Sequence, residues 1–347
     1  MATPDDEAKS PAKRTLARRL LLGLIVVAGM VLVLGIVFVA VNLVDEEPGP
    51  PVYTEADLPP VPPAEENGWA MLRDTPLHSG TRVDTALTIV VPGALAELSL
   101  AEFSAQRVAA DEELTEALQS CAQAFEAPRF ADGCPMSFEV ECPGLIFHQC
   151  QRLRAYQILD LAAQGSGGEA VAMAGQLLDA TIDHAQTARG LLGQAIALSN
   201  LEATLALVGA LDRWLPEEEM VPLLTQLRTF DPDSLRPELA LVGEYLLVLN
   251  AIEMVRSSGA EDRSTWLLDE GATRKIFDDA YRSAADGSAF VLPAQREGLL
   301  WWFDNAAGKL IIDGLHLVDT AWQSVQDRER RIHDQRDALL RLHPVPD

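Results

Sequence analysis

The chain has 347 residues, 52 acidic against 27 basic, with a formal charge of −25 and a pI near 4.5. So acidic a chain repels nucleic acid, anionic polymers and anionic lipid head groups, which excludes them as partners. Hydrophobic residues make up 48% of it and aromatics only 6%, so alanine and leucine carry the apolar content and helices are expected throughout.

Leu20 to Val44 is a run of 25 residues without a charge. As a helix it reaches roughly 37 Å, more than the ~30 Å hydrocarbon core of a bilayer. A secretory signal has an apolar core of only about 7–15 residues and a small-x-small cleavage site. Val41-Asn42-Leu43-Val44 is a poor site, so the run predicts an uncleaved transmembrane signal anchor over 20–44. Lys9, Lys13, Arg14, Arg18 and Arg19 precede it, and Asp45, Glu46 and Glu47 follow. Positive flanks stay in the cytoplasm, so residues 1–19 form a cytoplasmic tail and the remainder lies outside. The expected location is the inner membrane, single-pass, with the C-terminal domain periplasmic or extracellular. Gly23, Gly29 and Gly35 recur every six residues and form no GxxxG stripe, which leaves oligomeric state open.

Setting aside the three acids and five bases of residues 1–44 leaves 49 acidic and 22 basic residues, a charge of −27. That charge tolerates cationic partners or divalent ions, and its plainest reading is solubility. Residues 45–64 hold seven prolines and five acids. Proline favours extended backbone and the acids repel, so this segment predicts a semi-rigid stalk reaching up to ~60 Å. Residues 65–347 then form the exterior domain.

Within it, Thr85 to Gly93 is β-rich but has no partner strand, and Pro92 ends it, so a loop or short helix is expected. Ser99 and Glu102 form a capping-box pattern, and Asp111 caps the next helix. A helix is predicted from Gly144 to Ala163, ending at Gly165–Gly168, then another over Glu169–Thr187 and one opening at Gly190. In that last one Leu201, Leu205, Val208, Leu211 and Leu215 trace one face. Pro216 sits where a helix can begin, and a further helix is expected from near Asp233. The last long helix is read from Lys309 to His343, with Ile311, Leu315, Val318, Trp322 and Val325 as its apolar stripe. Around Asp327–Arg331 it becomes polar, which predicts a solvated end held by local ion pairs. The fold class is therefore all-α: an N-terminal transmembrane helix plus an extracytoplasmic array of helical hairpins, as an irregular bundle or α-solenoid.

Cys121, Cys134, Cys142 and Cys150 fall within 30 residues. Their spacing fits no short zinc knuckle and contains no CxxC, so structural disulfides in an oxidising compartment are expected. A nested pairing, Cys121 with Cys150 and Cys134 with Cys142, would tie two helix ends and pin the loop between them. The sequential pairing is its rival.

Catalytic signatures are not found. The six histidines form no HExxH or close ligand pair, and His184, on an apolar face, reads as a satisfied core residue. No GxSxG elbow is present. Gly308-Lys309 lacks the rest of a P-loop. The acid runs Asp278-Asp279 and Glu217-Glu218-Glu219 read as solvated faces. No cofactor or metal is expected. Trp301-Trp302-Phe303 carries bulky rings on more than one side of a helix, so core packing is expected, with Trp301 and Trp302 also interaction candidates. Trp69, just after the stalk, is a third such candidate and is expected to dock on the body.

The landmarks Glu65-Glu66-Asn67-Gly68-Trp69 and Asn305-Ala306-Ala307-Gly308-Lys309, with the run Ala188–Leu211, resemble uncharacterised bacterial single-span proteins with a helical extracytoplasmic domain. Glycine and alanine stand at 68 and 306, where that pattern often has alanine and proline. The resemblance implies the same architecture and no known activity. The expected function is a membrane-tethered interaction or scaffold module of the bacterial cell envelope, acting on other envelope proteins. The alternatives are a carrier or chaperone with an apolar groove, and an envelope-polymer enzyme using carboxylates.

Overall fold

Alanine- and leucine-rich segments separated by caps and prolines fold as helices, and no strand occurs among the described residues. The structure is a computed structural model, and it describes residues 27–40, 47–137, 142–258, 268–286, 290–293, 295, 305–314 and 317–343. The described chain divides into two compact units. The larger takes in Pro50–Met254, Phe277–Leu292 and Leu315–Asp347, and the smaller Met1–Gly49, Val255–Ile276 and Pro293–Gly314.

In the larger unit, α2 (Gly68–Met71), α3 (Thr81–Ile89) and α4 (Pro92–Leu95) lead to α5 (Leu100–Gln106) and α6 (Glu112–Phe125). The β-rich run at 85–93 is helical in α3 up to Ile89 and again from Pro92, which starts α4, and no partner strand occurs among the described residues to hold an extended chain. α5 starts at the Ser99–Glu102 capping box, and α6 starts at Asp111, whose side chain accepts from the Leu114 amide. The helices α7 (Gly144–Ala163), α8 (Gly167–Thr187), α9 (Gly190–Trp214) and α10 (Glu217–Thr229) follow, joined by two or three residues each. α7 stops in a Schellman arrangement, Ser166 N–H to Leu161 C=O and Gly165 N–H to Ala162 C=O.

α9 packs against α7, α8 and α14 (Leu317–Leu342). The expected face is buried at Leu201, Leu205, Val208 and Leu211, but so are Ala197, Leu198 and Leu207 on other sides. Burying each such leucine contributes about 2 kcal/mol. Among the described residues α9 is the one helix long and apolar enough to cross a membrane, and 61% of that apolar window is buried inside the protein. That burial makes it a core helix.

Two expectations are corrected. Residues 52–61 are held against the larger unit, which shortens the free stalk. The Val52 amide donates to Tyr245 Oη at 3.0 Å. The Tyr53 ring meets Tyr245 and Tyr281 edge-on at 5.6 and 6.5 Å, Leu58 is buried, and Arg189 donates to Pro59 C=O at 2.7 Å. The segment is a strap, because its apolar side chains find partners on the body. The expected last helix is described in two stretches, α13 (Ala306–Gly314) and α14, and Leu315 between them lies outside the described residues. Val318, Trp322 and Val325 are buried as expected, but in α13 Ile312 is buried and Ile311 is not. Second, the polar stretch of α14 is largely exposed as expected but is not held by local ion pairs alone. Glu202 on α9 accepts from Arg328 at 2.8 Å and from Arg331 at 2.7 Å, and Ile332 beside them is fully buried. Long-range pairs to α9 add to the local pair of Arg330 with Asp327, whose side chains are exposed.

α11 (Glu238–Ser258) and α12 (Glu270–Ala285) each contribute to both units. In the smaller unit Asn305, at φ 45°, precedes α13, and its side chain accepts from the Asp269 amide at 2.8 Å at the start of α12. Asp269 in turn caps α12 through the Ala272 amide. α1 (Val27–Ala40) is the described part of the expected anchor, and its side chains are exposed, Val31 and Leu32 by 64% and 65%.

Candidate functional site

Four pieces of backbone converge where α9 begins: the loop Asp132–Ser137, the starts of α7 and α9, and the middle of α11 around Glu244. The convergence depends on close backbone approach. A Cβ on Gly243 would overlap the Gly190 amide, and Gly190 itself sits at φ +68°, a conformation that favours glycine. Between these pieces lies a cavity of about 530 Å³. Met136, Leu145, Leu191, Leu192, Ile196 and Leu247 form its apolar wall. Two of them stand at the open side, Leu192 with 75% and Leu145 with 69% of its surface exposed. Apolar walls with few polar groups and this volume are the usual make-up of a binding site. Met136 adds an adaptable side chain.

Three charged residues line the same space. Asp132 is almost fully buried, and both carboxylate oxygens are used: the Cys134 amide donates to one at 2.8 Å and the Arg189 amide to the other at 2.9 Å. Burial pushes its carboxyl up to about 6, although the two amides and the Arg189 charge act the other way. The Arg189 guanidinium donates to Pro59 C=O and, at 3.5 Å, to Cys134 C=O. Burial lowers its pKa while Asp132 and Glu55 oppose that. Arg189 and Asp132 therefore compensate one another. Glu244 is different. One oxygen accepts from the Leu191 amide at 3.4 Å, capping α9, and the other has no hydrogen-bond partner among the described residues. Burial raises its pKa, since little nearby stabilises the charged form.

The cysteines bracket this cavity. Cys121 is bonded to Cys150 and Cys134 to Cys142, the nested arrangement, with Cα separations of 5.2 and 5.8 Å. The first is fully buried between α6 and α7 and the second lines the cavity, with Cys142 exposed. Trp69 is 3% exposed and also touches the cavity, but its ring is stacked on His184 at 4.4 Å. It is a core residue, so its expected docking on the body is complete and no free ring is left as a platform. Trp301 and Trp302 lie outside the described residues.

His184 is enclosed by Trp69, Phe130 and Phe147, and neither ring nitrogen has a hydrogen-bond partner among the described residues. It is a core histidine without the satisfaction expected of it, and burial pushes its pKa down to about 3. His148 bonds Asn200 at 2.7 Å. Asp278 corrects the solvated-face reading: it is buried and accepts from Tyr245 Oη at 2.8 Å, whereas Asp279 is exposed. Among the described residues no group of three or more His, Cys, Asp or Glu is placed to hold a metal ion.

Sequence reasoning missed Met136, Leu145, Leu192 and Glu244. A signal existed in Gly190-Leu191-Leu192-Gly193, where two leucines open a helix whose apolar face begins later. Nothing local marks Glu244, which reaches α9 from α11. Comparison with protein-family models, with curated proteins and with solved structures finds no match to this chain.

Proposed function

We propose that the chain is a membrane-tethered docking module of the bacterial cell envelope, anchored by residues 20–44 with its N-terminus in the cytoplasm and its helical body beyond the membrane. The body is an array of helical hairpins that offers the cavity at the start of α9 to an apolar segment of another envelope protein. The observation that carries this reading is the apolar cavity with Leu145 and Leu192 exposed at its mouth. Soluble surfaces rarely leave such residues together without a partner. Two disulfides support an oxidising compartment. The apolar, outward-facing side chains of α1 support the anchor.

The test is a photo-crosslinking residue placed at Leu192 in the full-length chain in cells, with Val221, 52% exposed on α10, as control. One defined protein adduct from position 192 and none from 221 is expected. No adduct, or the same adducts from both positions, overturns the docking reading. A reporter fused after Asp347 that is active only in the cytoplasm overturns the topology. The cavity volume also supports the carrier reading. Co-purification of a small apolar molecule that Ile196→Trp abolishes would select it.

A further inference from the structure

Resting on the docking reading, we infer that the segment received by this cavity is both apolar and basic: a leucine-like side chain seated on Met136, Leu192 and Ile196, with a lysine or arginine next to it paired to Glu244. The argument is one of charge. Arg189 and Asp132 compensate each other: both oxygens of Asp132 are engaged, and the Arg189 guanidinium donates to the Cys134 and Pro59 carbonyls, with only its Nε unpartnered among the described residues. Glu244 remains as the net charge of the cavity, with one carboxylate oxygen unpartnered among the described residues. A carboxylate facing an apolar space is costly unless a cation joins it, and a ligand can bring that cation. The surroundings repeat the sign: 49 acids against 22 bases beyond residue 44 attract basic segments over a long range. An acidic segment would meet repulsion at Glu244 and from the whole body, and a neutral apolar one would leave Glu244 unpaired. The single contact from the Leu191 amide, at 3.4 Å, caps α9 with one oxygen and leaves the other to recognise a donor.

The experiment measures binding to the full-length chain in lipid nanodiscs by fluorescence anisotropy. Its probes are labelled acetyl-Gly-Ser-Leu-Leu-Lys-Ser-Gly-amide and the same peptide with glutamate or glutamine in place of lysine. The lysine peptide is expected to bind at least tenfold tighter than the glutamate peptide. Glu244→Gln, which keeps an acceptor for the Leu191 amide, should bring that ratio near one. Leu192→Lys, at an exposed position with no role in the core, should lower lysine-peptide binding and raise glutamate-peptide binding. Ile196→Trp should fill the cavity and abolish all three. If the peptides bind equally and Ile196→Trp still abolishes them, the docking reading stands and the basic segment is refuted. If none binds, or Ile196→Trp changes nothing, both fall. Binding of dodecylammonium in place of every peptide also overturns the inference, because the cation then comes from a small amphiphile and not from a protein.

Discussion

His184 makes the body of this protein sensitive to acid in a way that can be isolated. In the unfolded chain the imidazole titrates near its ordinary 6.5, and in the folded state burial pushes it down to about 3. Between these values the unfolded state binds the extra proton, so stability is full above 6.5 and is lost as pH falls. The slope is about 1.4 kcal/mol per pH unit, or about 2 kcal/mol by pH 5. Asp132 acts oppositely. Its folded carboxyl is pushed up to about 6 from an ordinary 3.8, so the folded state binds its proton first and stability rises as pH falls from 6 towards 3.8. The two contributions nearly cancel between those limits, and the wild-type curve alone would hide both. The perturbation is therefore His184→Leu, and the assay is urea unfolding of the full chain in detergent, followed by tryptophan fluorescence at pH 8, 7, 6 and 5. The offset at pH 8 mixes lost ring stacking with relief of two unpaired nitrogens and can take either sign. The slope is diagnostic: the variant should gain on the wild type by about 2 kcal/mol between pH 8 and 5. A difference that stays constant with pH would mean that His184 has a partner, or access to water, and the linkage argument fails.

A Cβ on Gly68 would overlap the Ala124 carbonyl oxygen, so Gly68→Ala should cost about 1–3 kcal/mol, read as a lower urea midpoint. Glu202→Ala leaves Arg328 and Arg331 without their shared carboxylate and should cost about 2 kcal/mol, with faster hydrogen exchange in α14. Unchanged exchange there would show that apolar contacts alone hold the helix. Mild reduction of the native protein should free Cys134 and Cys142 before Cys121 and Cys150, because Cys142 is exposed and the other pair is buried, and alkylation with mass spectrometry reads the order. Loss of the inner bond, which closes a span of 8 residues, should cost about 2.5 kcal/mol, and loss of the outer bond, spanning 29, about 3.6 kcal/mol. Tyr53→Ala removes the ring that seats on Tyr245 and Tyr281, so limited proteolysis should cut within 52–61 while the helices stay intact.

Much of the fold was legible because its helix boundaries are written locally. Ser99 with Glu102, Asp111, Gly165 and Pro216 each act on a backbone group within a few residues, and each marks an end that the structure has. The strap and the partner of Arg328 and Arg331 were not legible, because they depend on residues far along the chain. A proline- and acid-rich segment reads as extended, and it is largely so. Whether it stands free turns on Tyr245, Tyr281 and Arg189, which are more than a hundred residues away. The cavity was hidden for the same reason: Met136, Leu192 and Glu244 come from three separate segments, and each alone looks ordinary.

The two sequence landmarks belong to this local class, which limits what a resemblance built on them can carry. Asn67 accepts from the Trp69 and Ala131 amides and donates to Ala131 C=O at 2.8 Å, so it fastens the end of the strap to the loop before the cavity. Gly68 lets that loop approach, and Trp69 covers His184. Asn305 bridges the starts of α12 and α13, and position 306 is the first residue of α13, where proline would also be accepted. All of these residues secure junctions between helices. None supplies an apolar wall at the cavity mouth or the unpaired carboxylate. A chain can therefore keep both landmarks, and the helical body they secure, while its residues at 136, 145, 192 and 244 vary. On the docking reading, landmarks and cavity answer to different physical demands, helix junctions in one case and the partner's side chains in the other.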